Sequence, residues 1–150
     1  MSTYTQILYQ VVFGSKNHIA FMTATNQESL FKYMAGILKN KGCHPYKVGG
    51  YKNHIHLVFS LNKTVSLSDI VKEIKQGSGD FMKSNKSLYQ NFPGWQVGYG
   101  AFTYSQDSVD NLIKYVENQH EHHRKRTFQE ELIEFLDKYN VEYKKEYLYT

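Results

Sequence analysis

Four separate stretches of the chain are rich in aliphatic and aromatic residues and are flanked by turn-forming residues, which is the pattern of strands. The four stretches predict strands over residues 4–14, 44–51, 53–61 and 95–105. The second and third strands are predicted to be joined by a tight turn near Gly49 and Gly50, because paired glycines favour turns. Residues 15–25 have little periodicity and predict a loop.

Elsewhere, apolar residues recur every three or four positions and predict helices. We expect helices over residues 27–41, from about 66 to 84, from about 109 to 123, and from Thr127 onward. Their predicted boundary residues are Asn26, Gly42, Ser66 or Ser68, Asp107 or Ser108, and Thr127 in capping-box spacing with Glu130. Gly77 and Gly79 predict a break or a close approach inside the second helix. The tail from Tyr139 onward is predicted to add a short strand or to dock against a partner.

The resulting order is β-α-β-β-α-β followed by further helices. It predicts an α+β, ferredoxin-like split βαβ fold: an antiparallel sheet with helices on one face and extra C-terminal helices. A length of 150 residues fits one domain over residues 1–150. The fold leaves the other face of the sheet open for a site, but it does not name a function.

The composition limits the compartment and the class of partner that we expect. No apolar run approaches the length of a membrane span, and the first residues lack a basic leader, so we expect no signal peptide. The single cysteine, Cys43, excludes an internal disulfide and fits a reducing compartment, which predicts a cytoplasmic protein. The net charge of +4, with 13 tyrosines and nine phenylalanines, is compatible with a nucleic-acid partner, since bases stack on aromatic rings.

The segment NHIHLVFS, residues 53–60, carries two histidines on one face of a predicted strand. His54 and His56 point the same way because side chains alternate along a strand, and their α-carbons lie about 6.6 Å apart. This spacing allows both imidazoles to hold one metal ion. The alternative is a pair of surface histidines exposed to solvent.

The third predicted helix offers partners for these histidines. Tyr115 and Gln119 are four residues apart and share a helix face, while Leu112, Ile113 and Val116 form its apolar side. The oxygen of Gln119 can complete a metal site, and the hydroxyl of Tyr115 then stands one turn away as a candidate nucleophile. The alternative for Tyr115 is an ordinary packing role.

Two histidines and a glutamine are neutral ligands, so a bound divalent ion keeps its full charge and can offset the charge of a phosphodiester. Mn²⁺ tolerates imidazole, whereas Mg²⁺ prefers oxygen and would draw on water and phosphate. Zn²⁺ also suits these ligands. We therefore predict Mg²⁺ or Mn²⁺ as the cofactor.

The combination of HIH on a strand, WQVGYGAFTYS between, and YVENQ on a late helix resembles the single-tyrosine HUH transposases over nearly the whole chain. These enzymes move small insertion sequences as single-stranded DNA. The resemblance implies that His54, His56 and Gln119 are the metal ligands and that Tyr115 is the nucleophile. It also implies a 5′-phosphotyrosine intermediate, hairpin DNA ends, and a homodimer whose active sites are shared between subunits.

Positively charged residues are the candidate contacts to the DNA backbone: Lys72, Lys75, Lys83 and Arg124. A solvated helix face explains the same lysines equally well. His122 and His123, in the run HEHHRKR, could orient DNA or perturb the metal site, or they could belong to a solvated helix end.

Two other functions remain open at this stage. A domesticated or replication-type HUH nickase would keep the same chemistry. A non-catalytic module that binds single-stranded nucleic acid is suggested by GYGAFTY, residues 98–104, but this segment throws Tyr99 and Phe102 to opposite faces and loses the stacking pair.

Overall fold

A computed structural model describes residues 2–148 and has the predicted α+β architecture. Its sheet is antiparallel throughout, with the strand order β2-β3-β1-β4. The strands are β1 (Leu8–Gly14), β2 (His44–Tyr51), β3 (His54–Ser60) and β4 (Gly100–Tyr104). The ferredoxin-like arrangement predicted from the element order is confirmed.

Three strands are shorter than predicted, β3 by one residue at each end and β1 and β4 by more, because a strand continues only where it has partners. β1 begins at Leu8, which pairs with Ser60 on one side and with Tyr104 on the other. β4 begins at Gly100 instead of residue 95, and Trp95 makes only an isolated bridge to Ser15.

The predicted turn at Gly49 and Gly50 is wrong. Both glycines lie inside β2, and the chain turns at Lys52 and Asn53, where Lys52 has a left-handed φ of 52°. Gly49 serves close packing instead: a Cβ atom there would lie 2.5 Å from Cγ1 of Val116. The glycine therefore allows the later helix that carries Val116 to approach the sheet.

One face of the sheet is covered by α1 (Gln27–Asn40) and α2 (Leu67–Ser84), whose apolar residues form the main core. Ser66 caps α2 as predicted by accepting a hydrogen bond from the Asp69 amide. Asn26 precedes α1 but does not cap it, because its side-chain amide holds the preceding loop and the Leu88 carbonyl.

The predicted glycine effects on these helices are partly confirmed. Gly42 follows α1 with a left-handed φ of 75°. α2 runs without a break through Gly77 and Gly79, and Gly77 provides a close approach instead: a Cβ atom there would lie 2.8 Å from Ile37 Cδ1.

The other face is covered by three C-terminal helices: α3 (Val109–Glu117), α4 (Gln119–His122) and α5 (Phe128–Lys138). The third predicted helix is thus two helices, because the chain leaves helical geometry at Asn118. Ser108 lies before α3 without a side-chain cap, whereas Thr127 and Glu130 form the predicted capping box of α5.

The tail forms no strand within the described residues and instead packs on its own chain. It contains a short 3-10 helix, Lys145–Tyr147, and both Tyr143 and Leu148 pack against the cluster around α5. Across residues 2–148, none of the helices combines the length and apolar character needed to cross a bilayer.

Candidate functional site

β3 presents its two histidines to the face covered by the C-terminal helices. His54 and His56 are fully buried there, while Ile55 and Leu57 point into the main core. Glycine lies beside each imidazole in the neighbouring strands, with Gly14 opposite His54 and Gly49 opposite His56. The predicted shared face is confirmed, but the histidines lie inside the protein and not on its surface.

Each imidazole is anchored from outside by its Nδ1 atom. His54 Nδ1 lies 3.0 Å from Asn53 Oδ1, and His56 Nδ1 lies 2.9 Å from Gln10 Oε1. The amide nitrogens of these two partners donate elsewhere, to the His18 carbonyl and to the Tyr104 hydroxyl, so their oxygens face the rings. In its neutral form each ring therefore keeps its hydrogen on Nδ1, which turns the Nε2 lone pair inward as in metal-ligating histidines.

Gln119 meets the histidines as predicted. Its Oε1 atom lies 2.9 Å from His54 Nε2, and only 1% of the residue is exposed. The break at Asn118 sets this orientation, because Gln119 begins α4 after α3 has ended. Tyr115 remains on α3, with its ring 5.8 Å from that of His56 in the same chain.

The sequence analysis missed Glu131, which joins this group from α5. Its Oε1 atom lies 3.0 Å from His56 Nε2 and 3.5 Å from His54 Nε2. Its Oε2 atom accepts hydrogen bonds from the Tyr115 hydroxyl and from Gln119 Nε2, the latter at 3.1 Å. We call His54, His56, Gln119 and Glu131 the histidine centre.

A signal for Glu131 was present in the helical pattern of α5. The buried residues of that helix, besides Glu131, are Phe128, Leu132 and Leu136. Glu131 falls among them, and a charged residue on an apolar helix face is uncommon unless it has a partner. Its partners lie in other elements, so the pattern could flag the residue without naming its role.

Charge is unevenly distributed over the histidine centre. Burial, followed by the charge of His56, lowers the pKa of His54 well below its usual value. Burial alone would raise the pKa of the Glu131 carboxyl, but the charge of His56 and hydrogen bonds from His123 and His56 lower it well below its usual value. Glu131 is therefore an anion, and an Nε2 atom that faces it needs a proton or a cation in between.

The donor set fits a divalent metal ion. His54, His56 and Glu131 each offer a buried ligand atom, and these atoms lie within 4.8 Å of one another. Imidazole nitrogen combined with carboxylate oxygen suits Mn²⁺ and Zn²⁺ well. The prediction of a metal site at His54 and His56 is consistent with this geometry, with Glu131 as an additional ligand atom next to Gln119.

The hydroxyl of Tyr115 is held between charges of opposite sign. It donates to Glu131 Oε2 and accepts a hydrogen bond of 2.6 Å from a terminal nitrogen of Arg126. Burial and, after it, the Glu131 charge raise the pKa of Tyr115 above its ordinary value, so the hydroxyl keeps its proton. A cavity of about 170 Å³ opens here, lined by Tyr115, Arg126, Glu131, Glu134, Phe135 and Lys138.

A larger cleft of about 590 Å³ lies on the Gln119 side of the centre. Its wall includes Lys47, Lys52 and Tyr51 from β2 and the turn after it. Lys52 lies over the Tyr51 ring at 5.3 Å, and Lys47 pairs with exposed Glu117 at 3.6 Å. The cleft thus combines cations with an aromatic surface.

Of the four residues predicted to contact DNA, the three lysines lie away from the histidine centre, whereas Arg124 directly follows His123. Lys72, Lys75 and Lys83 are on α2, which packs on the opposite face of the sheet. Lys75 donates to the backbone carbonyls of Gln96 and Gly98 at 2.9 and 2.6 Å, and Arg124 pairs with Glu121 at 3.3 Å. DNA contact by these residues stays a prediction.

Solved structures of other proteins share this fold. A candidate transposase from Deinococcus radiodurans R1 superposes with a TM-score of 0.62 at 19% identity, covering 79% of this chain and 95% of that chain. A REP-associated tyrosine transposase bound to a REP hairpin superposes with a TM-score of 0.60 at 14% identity, covering 82% and 74%. At these identities, both structures support the fold alone. No curated protein matches the chain.

Residues 3–119 match the family model described as IS200-like transposase, a span that includes His54, His56, Tyr115 and Gln119. The match covers most of the chain and agrees with the resemblance noted from the sequence. The chain belongs to the IS200-like transposase family.

Proposed function

We propose that this transposase cleaves and rejoins single-stranded DNA through a covalent 5′-phosphotyrosine on Tyr115. One observation carries the proposal: the Tyr115 hydroxyl bonds to Glu131, whose other oxygen faces the imidazoles of His54 and His56. The candidate nucleophile and the candidate metal site thus contact the same carboxylate.

The bond changes of the covalent step involve groups of the protein, the DNA and water. The Tyr115 oxygen bonds to phosphorus while the bond from phosphorus to the 3′ oxygen of the preceding nucleotide breaks. As that bond forms, the phenol becomes more acidic and its proton passes by way of Glu131 Oε2 to water, and water protonates the departing 3′ oxygen. The products are a 5′-phosphotyrosine and a free 3′ hydroxyl, and attack by a 3′ hydroxyl reverses these changes to rejoin DNA.

His54, His56, Gln119 and Glu131 would hold the divalent ion, Mg²⁺ or Mn²⁺ in our proposal. When bound, the ion supplies positive charge against the phosphate oxygens as negative charge develops there. Arg126 is placed to act with it, because its guanidinium already contacts the oxygen that forms the new bond.

The DNA strand is proposed to lie along the cleft beside Gln119. Lys47 and Lys52 can neutralise phosphates, and Tyr51 offers a surface on which a base can stack. The structural relative that binds a REP hairpin supports hairpin-ended DNA as the partner. The proposed compartment is the cytoplasm, in keeping with the single buried Cys43.

The decisive test is covalent capture of DNA. Single-stranded DNA from the element's end is incubated with wild type or Tyr115→Phe, with Mn²⁺ or Mg²⁺ and with or without EDTA. We expect a protein–DNA adduct only for wild type with metal, because the variant lacks the attacking oxygen. Tyr143→Phe removes a tyrosine hydroxyl in the tail and is the matched control, which should form the adduct.

Other outcomes separate the alternatives. An unchanged adduct in Tyr115→Phe would assign the nucleophile to another tyrosine. Hairpin binding without any adduct in wild type would favour a non-catalytic nucleic-acid module. Cleavage without insertion-sequence hairpins in the flanking DNA would favour a domesticated or replication-type nickase. Efficient cleavage of duplex DNA would contradict the single-strand mechanism.

The oligomeric arrangement is tested by mixing inactive variants. We propose a homodimer, as the family resemblance implies, although Tyr115 lies beside the histidines of its own chain. If sites are shared between subunits, mixing Tyr115→Phe with His56→Ala restores an intact site and some adduct. If each chain uses its own tyrosine, the mixture stays inactive while co-purified variants still associate.

A further inference from the structure

His123 lies at the histidine centre although it follows the matched family segment, residues 3–119. α4 ends at His122, and the chain then turns back toward α5. This turn buries the His123 side chain, which is only 4% exposed. Its ring centroid lies 4.5 Å from that of His54.

The Nε2 atom of His123 points at the same oxygens as the other two imidazoles. It lies 3.0 Å from Gln119 Oε1 and 3.3 Å from Glu131 Oε1. For comparison, His54 Nε2 lies 2.9 Å from the same glutamine oxygen, and His56 Nε2 lies 3.0 Å from the same carboxylate oxygen. His123 thus contacts both oxygens, at distances within 0.3 Å of the shortest strand-histidine contacts.

The outer hydrogen bond of His123 fixes its orientation. Its Nδ1 atom lies 2.9 Å from the Arg126 backbone carbonyl, which can only accept a hydrogen bond. Nδ1 therefore carries the hydrogen, and the Nε2 lone pair faces inward. The same pattern holds for His54 and His56 with their amide partners.

Three imidazole Nε2 atoms thus contact Gln119 Oε1 or Glu131 Oε1 at 2.9 to 3.3 Å, since Gln119 turns its NH₂ group toward Glu131 Oε2. A nitrogen lone pair and an acceptor oxygen placed about 3 Å apart repel one another unless a proton or a cation sits between them. An ion with bonds of about 2.1 Å spaces its adjacent ligands by roughly 3.0 to 3.4 Å, which agrees with these contacts.

We propose that His123 is a third imidazole ligand of the metal ion, supplied by the segment that follows the matched family region. The inference rests on the proposed function only in taking the histidine centre to be a metal site. Three nitrogen ligands make the site prefer a transition-metal ion such as Mn²⁺, Co²⁺ or Zn²⁺ over Mg²⁺, which favours oxygen.

Co²⁺ is the probe for the test, because its visible absorption depends on the number and type of its ligands. Chelator-treated full-length wild type, His123→Ala and His120→Ala are titrated with Co²⁺ without DNA. His120 is the matched control: it lies three residues earlier on α4, is exposed, and packs its ring against Tyr51 at 5.3 Å. We expect His123→Ala to lose at least about tenfold in Co²⁺ affinity and to change the spectrum, and His120→Ala to resemble wild type.

Thermal unfolding separates ligation from a structural role. If His123 only supports the fold, His123→Ala lowers the Tm in EDTA but keeps the rise in Tm that Co²⁺ produces. Loss of that rise supports ligation, and His123→Asn provides a smaller change should the alanine variant fail to fold. Wild-type affinity and spectrum in a folded His123 variant would overturn the proposal, as would displacement of Co²⁺ by equimolar Mg²⁺.

The DNA reaction is measured in parallel to keep the two proposals apart. Absence of a wild-type adduct together with His123-dependent Co²⁺ binding would reject the proposed function and leave the ligand assignment intact. A wild-type adduct together with Co²⁺ binding that does not depend on His123 would support the proposed function and reject the ligand assignment.

Discussion

The two faces of β3 are buried to the same degree by different physical means. On one face, Ile55, Leu57 and Phe59 pack against α1 and α2 in the main core, which is built from apolar side chains. On the other face, His54 and His56 are equally inaccessible but are surrounded by polar side chains. One strand therefore supplies both the main core and the candidate metal site.

The two faces of β3 therefore differ in the amino-acid substitutions that they tolerate. The apolar face depends on buried area, at about 25 cal/mol per Å², and accepts other apolar side chains of similar volume. The polar face depends on specific partners, because an unpaired buried polar group costs about 1–3 kcal/mol. Four segments supply these partners, through Gln10, Asn53, Gln119 and Glu131.

The largest expected effect on stability comes from the apolar face. Leu57→Ala removes a fully buried side chain and should lower the free energy of unfolding by about 2–5 kcal/mol. Urea unfolding with and without metal measures it. The metal-induced gain should be unchanged, because the substitution leaves the opposite face intact. A lost gain would show that the two faces are not independent.

Metal removal tests the polar face alone. At a metal concentration 100 times the dissociation constant, binding should raise the free energy of unfolding by about 2.7 kcal/mol, and EDTA should abolish this gain. The same unfolding experiment on His56→Ala should show little gain, because one ligand is missing. If metal raised the free energy of unfolding equally in wild type and His56→Ala, the metal would be bound at a different site.

Arg126 tests whether the polar face extends to the nucleophile. Arg126→Gln removes a charge-assisted hydrogen bond to the Tyr115 hydroxyl, so the rate of adduct formation should fall by about tenfold, equivalent to ~1.4 kcal/mol. Single-turnover assays with single-stranded DNA measure this rate. Exposed Lys125→Gln removes the same charge one residue earlier and should change the rate far less.

The smallest effect is expected at the start of α5. Thr127→Ala removes half of the capping box and should cost about 1 kcal/mol of unfolding free energy. Since α5 carries Glu131, metal affinity should fall as well, and calorimetric titration can detect this. Glu28→Ala breaks only an exposed ion pair with Lys32 and should cost about 0.3–0.5 kcal/mol with no change in metal affinity.

Much of the fold could be predicted because its signals are local. Ser66 and Thr127 start their helices by bonding to amides three residues away, a spacing that the chain itself displays. The β2–β3 turn was misplaced because glycines suit turns and close packing alike. Only the position of α3 shows that Gly49 makes room for Val116.

The helix break at Asn118 was missed for a related reason. Neither glycine nor proline lies between Val109 and His123, and the three partners of Gln119 that set its orientation are His54, His123 and Glu131. The sequence therefore predicted one helix where tertiary contacts produce two. Tyr115 and Gln119 still face the same centre, as the four-residue spacing indicated.

From sequence alone, the alternation of side chains along β3 determined that His54 and His56 lie on the same face. The four-residue spacing of Tyr115 and Gln119 determined that these two also face the same side. Tertiary structure alone decided that Glu131, His123 and Arg126 join them. His56 and Glu131 are 75 residues apart and meet because α5 packs its apolar side on the sheet. No local period can encode such a meeting, since it depends on the path of the whole chain.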